Sequence, residues 1–238
     1  MGNTTDILRE KIEKLRTKST DDRYFFSQHD IRTLLTDDII TKAISECIQE
    51  HAIPERQGAY VTTRIANEGK IIFGILIWKR WLHKLIKCIE HNVLDSQLPL
   101  EDARANEILG NIGWDFAHNA QWEFLPRLFT NEMSGIHNLF RKEEILPFIE
   151  EKRLGEGSFG DVYKVSVFPS SQTMFPEQVW FSIRIPLMQL LIRKKTDCES
   201  VHSTEDIEKG SVFGTRDRMP SNFGPPSASQ HCPAVGIV

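Results

Sequence analysis

Through its first half the chain keeps one pattern: apolar residues recur at spacings of three and four, the period of helices that bury one face. In residues 5–18 the series Leu8, Ile12 and Leu15 is surrounded by Arg9, Glu10, Lys11, Glu13 and Lys14, which predicts a first helix. A second is expected from Asp37, read as its N-cap, through Ile40, Ala43, Ile44, Cys47 and Ile48, with Cys47 in the core. Pro54 closes that unit, and residues 56–92 read as one long helix or two, interrupted near Gly69 and Gly74. Within it, residues 73–89 set Trp78, Trp81, Leu82, Leu85 and Ile89 on one side and Lys79, Arg80, His83, Lys84 and Lys87 on much of the other. Such a basic amphipathic helix suits a bundle with a solvated basic face, an anionic membrane surface or calmodulin. Residues 94–100 read as a loop and 101–109 as a helix that Gly110 and Gly113 break. The aromatics Trp114, Phe116, Trp122, Phe124, Phe129 and Phe140 lack regular spacing, so 114–140 reads as packed loops with a short helix.

The period changes after Ile145. Pro147, Phe148, Ile149, Leu154, Val162, Val165 and Val167 lie in short runs of strand formers separated by glycines, which predicts a β-hairpin. From 196 onward Ser, Gly, Pro and charge dominate, and isolated apolar residues there are too few to offset the entropy of ordering, so a disordered tail is expected.

Composition narrows the function classes. The 238 residues carry 29 Lys plus Arg against 33 Asp plus Glu, a formal net charge of -4, which disfavours nucleic-acid binding through a basic surface. Cys47, Cys88, Cys198 and Cys232 form no C-x-x-C pair, so a reducing intracellular compartment, the cytoplasm, is expected, with neither a disulfide scaffold nor a zinc ribbon. Cys198, His202, His231 and Cys232 match no common zinc module. No secretory signal is read at the N-terminus, and Gly2 lacks the Ser or Thr that myristoylation favours four residues on, Asp6 standing there. The longest apolar run, 71–78, is far shorter than the ~20 residues of a membrane span.

One motif is specific: Leu154-Gly155-Glu156-Gly157-Ser158-Phe159-Gly160-Asp161-Val162-Tyr163-Lys164-Val165. It contains G-x-G-x-x-G with valine two residues on, flanked by strand formers, whereas the dinucleotide fingerprint needs a helix straight after its third glycine. Glycines leave backbone amides free to close over phosphates, Phe159 at the tip is placed to shield them from water, and Val162 to pack on a purine. The segment resembles the glycine-rich loop of eukaryotic protein kinases. The helical region before it, with Ile71-Ile72-Phe73-Gly74-Ile75-Leu76, resembles the segment that precedes the kinase domain in a group of filamentous-fungal Ser/Thr kinase-like proteins.

The resemblance implies that Leu154, Gly155, Glu156, Gly157, Ser158, Phe159, Gly160 and Val162 contact ATP, and that a lysine on a third strand meets its α- and β-phosphates. Lys194 is the candidate, 39 residues after Gly155, about twice the family's interval. An insertion explains that distance; the other reading is a lysine ending an accidental apolar run. His-Arg-Asp, Asp-Phe-Gly and Ala-Pro-Glu are missing, and Trp114-Asp115-Phe116-Ala117, upstream and without glycine, reads as aromatic core. No catalytic or metal-binding residue is therefore assigned. ATP is the expected ligand, weakly held if at all, with magnesium expected only in full-length relatives. A truncated, inactive kinase form follows, and Gln178-Val179-Trp180 permits a splice-donor sequence where the resemblance fades.

The expected fold class is a mainly α N-terminal domain (1–142), an incomplete α+β protein-kinase N-lobe consisting of its first β-hairpin (143–195), and a disordered C-terminal tail (196–238). The alternative to nucleotide binding is a non-enzymatic protein whose helical domain engages an unidentified protein partner and whose kinase hairpin is vestigial.

Overall fold

Helix α1, Thr4–Lys14, begins where the Asn3 side chain accepts the Thr5 amide at 3.3 Å, and it buries Leu8 and Ile12. It ends sooner than the apolar spacing predicts. Thr17–Lys18 (β1) instead pairs antiparallel with Tyr24–Phe25 (β2), across a turn in which Asp22 takes φ 67°. The computed structural model describes residues 3–50, 53–130, 137–157, 160–173, 188–194 and 234–237.

Helices α2 (Gln28–Leu34), α3 (Asp37–Gln49) and α4 (Glu55–Glu68) follow, with Thr36 in the N-cap position expected for Asp37. They surround α5, Lys70–Trp78, in which every residue from Ile71 to Ile77 is buried. A helix apolar on all sides belongs at the centre of a bundle. Gly74 does not break it: a Cβ there would lie 3.2 Å from both Ile31 and Phe124, so glycine serves close packing against α2 and the later aromatic helix. Asp95 caps α5 from a distant turn, its Oδ1 accepting the amides of Ile71 at 2.9 Å and Ile72 at 3.1 Å while Arg32 lies 2.8 Å from Oδ2. Burial nevertheless holds the Asp95 carboxyl above its usual pKa range.

The continuous basic helix expected over 73–89 does not form. Arg80 takes φ 61°, and the amides of Trp81 and Arg80 bond back to the carbonyls of Leu76 and Ile77 at 2.7 and 3.2 Å. This left-handed stop ends α5, with arginine where glycine is usual. A 3-10 turn over Leu82–Lys84 and the short α6, Leu85–Glu90, follow, and Asn92 at φ 53° closes α6 with the same paired bonds.

Helix α7 (Asp102–Leu109) leads through a 3-10 turn at Gly110–Ile112 into one helical run: α8 (Gly113–Asp115), a π-turn (Phe116–Ala120) and α9 (Gln121–Phe124). Over 114–124 continuous helix replaces the expected mixture of packed loops and a short helix; the π-turn adds a residue and so removes the regular aromatic spacing.

The β portion is a five-stranded antiparallel sheet in the order β3-β7-β6-β5-β4, formed by β3 (His137–Leu139), β4 (Phe148–Gly157), β5 (Gly160–Val167), β6 (Met188–Lys194) and β7 (Ala234–Ile237). Two hydrophobic cores result, a large one among the helices and a small one of Phe129, Phe140, Phe148, Val165 and Val167 under the hairpin. The described residues are mostly helical, as expected of a mainly α N-terminal domain. The sheet draws in β3 from the region assigned to the helical domain. It also takes β7 from the expected disordered tail, pairing it antiparallel with β3 and β6; the rest of that tail, 196–233 and 238, lies outside the described residues.

Candidate functional site

Strands β4 and β5 pair from Phe148 opposite Val167 to Gly157 opposite Gly160, so the glycine motif occupies the far end of a hairpin whose base is rooted in the small core. Ser158 and Phe159 lie outside the described residues. Val165, Ser166 and Val167 are buried, Val162, Tyr163 and Lys164 are half-buried, and Leu154 and Gly155 are exposed, so burial falls steadily towards the glycines. A register shift between Arg153 and Gly155 leaves Leu154 as the extra residue of a bulge, 52% exposed, and sets Gly155 opposite Val162. Bulges re-aim a strand near its end.

Gly155 has no structural need to be glycine. Its φ lies outside the left-handed region, and a Cβ built there meets nothing within 4 Å. Gly113 is the contrast: a Cβ there would fall 2.5–2.6 Å from backbone atoms of Ala105 and Asn106, where helix packing demands glycine. At Gly155 the chain keeps a residue that weakens a strand while leaving bare backbone facing open space.

A third strand completes the arrangement. β6 pairs along β5, setting Asp161 opposite Lys194 and Val162 opposite Arg193, so the chain returns to the glycine end despite the long interval in sequence. The two-residue repeat puts Val162 and Arg193 on one face of the ladder, and Asp161 and Lys194 on the face shared by buried Val165 and Val167. Lys194 therefore reaches the glycine end at a register position on the face opposite to Val162.

The helical part holds the hairpin at its root. Arg23 donates to three successive carbonyls, those of Lys142 and Glu143 at 3.1 Å each and that of Glu144 at 2.7 Å. The Thr20 amide donates to the Phe148 carbonyl at 2.8 Å, Ser19 Oγ to the Leu146 carbonyl at 2.6 Å, and Phe25 packs edge-on against Phe168 with ring centroids 5.5 Å apart. These contacts come from the turn between β1 and β2 and from Phe25 in β2, which the helical pattern did not reveal; Thr17, Tyr24 and Phe25 favour strands, but two residues per strand fall below any periodicity.

Among the described residues no group of three His, Cys, Asp or Glu side chains is placed to hold a metal ion, and no helix is long and apolar enough to cross a membrane. Asp115 accepts Asn119 Nδ2 at 2.7 Å beside buried Phe116, within the helical core run, while Cys198, His202, His231 and Cys232 lie outside the described residues. No protein-family model, curated protein or solved structure matches the chain.

Proposed function

We propose that the hairpin over residues 148–167 is the nucleotide-covering element of a protein-kinase N-lobe and that the chain binds ATP through it. The observation that carries the reading is Gly155: an exposed glycine that neither backbone geometry nor packing requires, in a motif whose glycines resemble those that admit phosphates. Bare backbone at an anchored hairpin's end suits the close approach of a polyphosphate. Leu154, Gly155, Gly157, Gly160 and Val162 would hold the nucleotide, with Ser158 and Phe159 over the phosphates. The basic end of β6, Arg193-Lys194, supplies positive charge, Arg193 being the residue whose register shares the face of Val162.

Bound ATP carries the transferable γ-phosphate, and longer relatives are proposed to pass it to a Ser or Thr hydroxyl. The 238 residues contain no His-Arg-Asp, Asp-Phe-Gly or Ala-Pro-Glu motif, so binding, and not transfer, is the function proposed for them. Among the described residues no group of side chains is placed to hold magnesium.

Titration with a fluorescent ATP analogue tests the reading. The full chain should bind saturably, and Gly155→Val should weaken binding at least about tenfold, because a branched side chain occupies the space left for phosphate. The same variant should unfold at an unchanged or slightly higher temperature, since valine favours a strand and its Cβ meets nothing. Absence of binding in the parent chain, or equal binding in the variant, would favour a helical interaction protein with a vestigial hairpin.

A further inference from the structure

A concavity lies away from the glycines, where the helical part meets the segment leading into the hairpin. It encloses about 480 Å³, within the ~300–1,000 Å³ typical of small-molecule sites. Its walls come from three separate places: Arg16 and Tyr24 around the β1–β2 hairpin, Trp114, His118 and Trp122 along the helical run, and Lys142 in the following turn. Trp114 is 59% exposed and supported by the His118 ring, with centroids 5.0 Å apart. An indole left so open at the mouth of a cavity has apolar area still to bury.

Two further observations point to a ligand. The wall contains the π-turn at Phe116–Ala120, and such turns recur at functional sites because the added residue re-aims the side chains after it. Here it sends Gln121 into the core, where it bonds both the amide and the carbonyl of Leu100, and leaves Trp122 and Glu123 lining the cavity. The charge is also uneven. Glu123 is shared by Arg16 at 3.3 Å and Lys79 at 3.0 Å, so two cations meet one carboxylate; Arg23 is neutralised by Asp21 at 2.7 Å, and Lys142 stands beside Glu143 with neither side chain in an ion pair among the described residues. Among the lining side chains Arg16, Arg23 and Lys142 stand against Glu123 and Glu143, an excess of one positive charge, with Asp102 3.5 Å from His118 Nε2 at the edge, and the Arg16 guanidinium lies 4.2 Å from the centre of the Tyr24 ring.

We infer that this cavity binds a small molecule with a planar aromatic ring system and an anionic group, the ring against Trp114 and Tyr24 and the anion towards Arg16 and Lys142. The inference stands independently of nucleotide binding at the hairpin. The probe is 1-naphthyl phosphate, titrated into the nucleotide-free full chain, with 1-naphthalenemethanol and 1-naphthylmethylamine as neutral and cationic counterparts. Indole N–H resonances report occupancy. The phosphate should shift the Trp114 signal saturably, and the neutral and cationic compounds should bind more weakly, in that order. Trp114→Ala should cost about fivefold in affinity, followed by the probe's own fluorescence. Lys142→Glu, at an exposed side chain, should remove the preference for the anion while leaving the fold intact. A Trp114 signal that does not move, equal affinity for the three compounds, or unchanged binding in both variants overturns the inference.

Discussion

Glycine identity at single positions separates what the fold requires from what a ligand would require. Gly74 and Gly113 sit where a methyl group would press on packed neighbours, whereas a Cβ at Gly155 would meet nothing within 4 Å, so packing does not account for the glycine there. The buried cysteines give the opposite lesson, of side chains committed to the core. Burial pushes the Cys88 thiol up to about 12 and, with Glu50 and Glu46 nearby, the Cys47 thiol up to about 11, so both are neutral and inert at ordinary pH. Because the folded-state values are raised, their stabilising contribution is complete below the ordinary thiol value of 9.0 and is lost as the pH climbs towards 11 and 12. For Cys88 the loss is up to about 1.4 kcal/mol per pH unit within that window. Urea unfolding at pH 8 and pH 10.5 should show a steeper decline for the parent chain than for Cys88→Ala; equal declines would mean that the thiol ionises freely in the folded protein.

Among the elements, the helical run Gly113–Phe124 depends on one side chain. Gln121 is fully buried; its Oε1 accepts the Leu100 amide at 2.7 Å, and its Nε2 donates to the carbonyls of Leu100 and Ala117 at 3.0 and 2.8 Å. Gln121→Leu fills the same space but strands both backbone groups of Leu100, and should destabilise the chain by about 2–4 kcal/mol in chemical denaturation. A loss below 1 kcal/mol, on the same scale, would mean that water replaces the amide. Much of the helical pattern was legible: Leu8 and Ile12, and Ile40, Ala43, Ile44 and Cys47, face the core as their spacing predicts. Three features were not. The stop at Arg80 uses a residue with no left-handed preference, the π-turn erases periodicity by adding a residue, and Asp95 caps α5 from 24 residues beyond Ile71. Each depends on tertiary contacts that a local pattern does not contain. In the candidate site the glycines announced a hairpin end, but the register of Arg193 and Lys194 did not follow from their spacing, because it is fixed by which strand face is buried.

At the scale of the whole molecule, a helical bundle grips the root of a hairpin and leaves its glycine end free. Arg23 holds the turn before β4, Ser19 and Thr20 hold residues 146 and 148, and the small core under Val165 and Val167 fixes the base. Such an anchor limits the movement of the glycines relative to the bundle, so less ordering remains to oppose ligand binding. The two cores also make different demands. The large one is assembled from helices close in sequence, whereas the sheet gathers β3, β7 and β6 from segments nearly a hundred residues apart, which explains why the sequence pattern divided the chain differently from the sheet. The most direct test of nucleotide binding at the hairpin is amide-resolved. In the full chain labelled with 15N at glycine and titrated with ATP, the amides of Gly155, Gly157 and Gly160 should shift together and saturate at one affinity, while Gly58, Gly69, Gly74, Gly110 and Gly113 in the bundle stay in place. If the three hairpin signals remain still at saturating ATP, or only the bundle glycines move, the hairpin is not a nucleotide site.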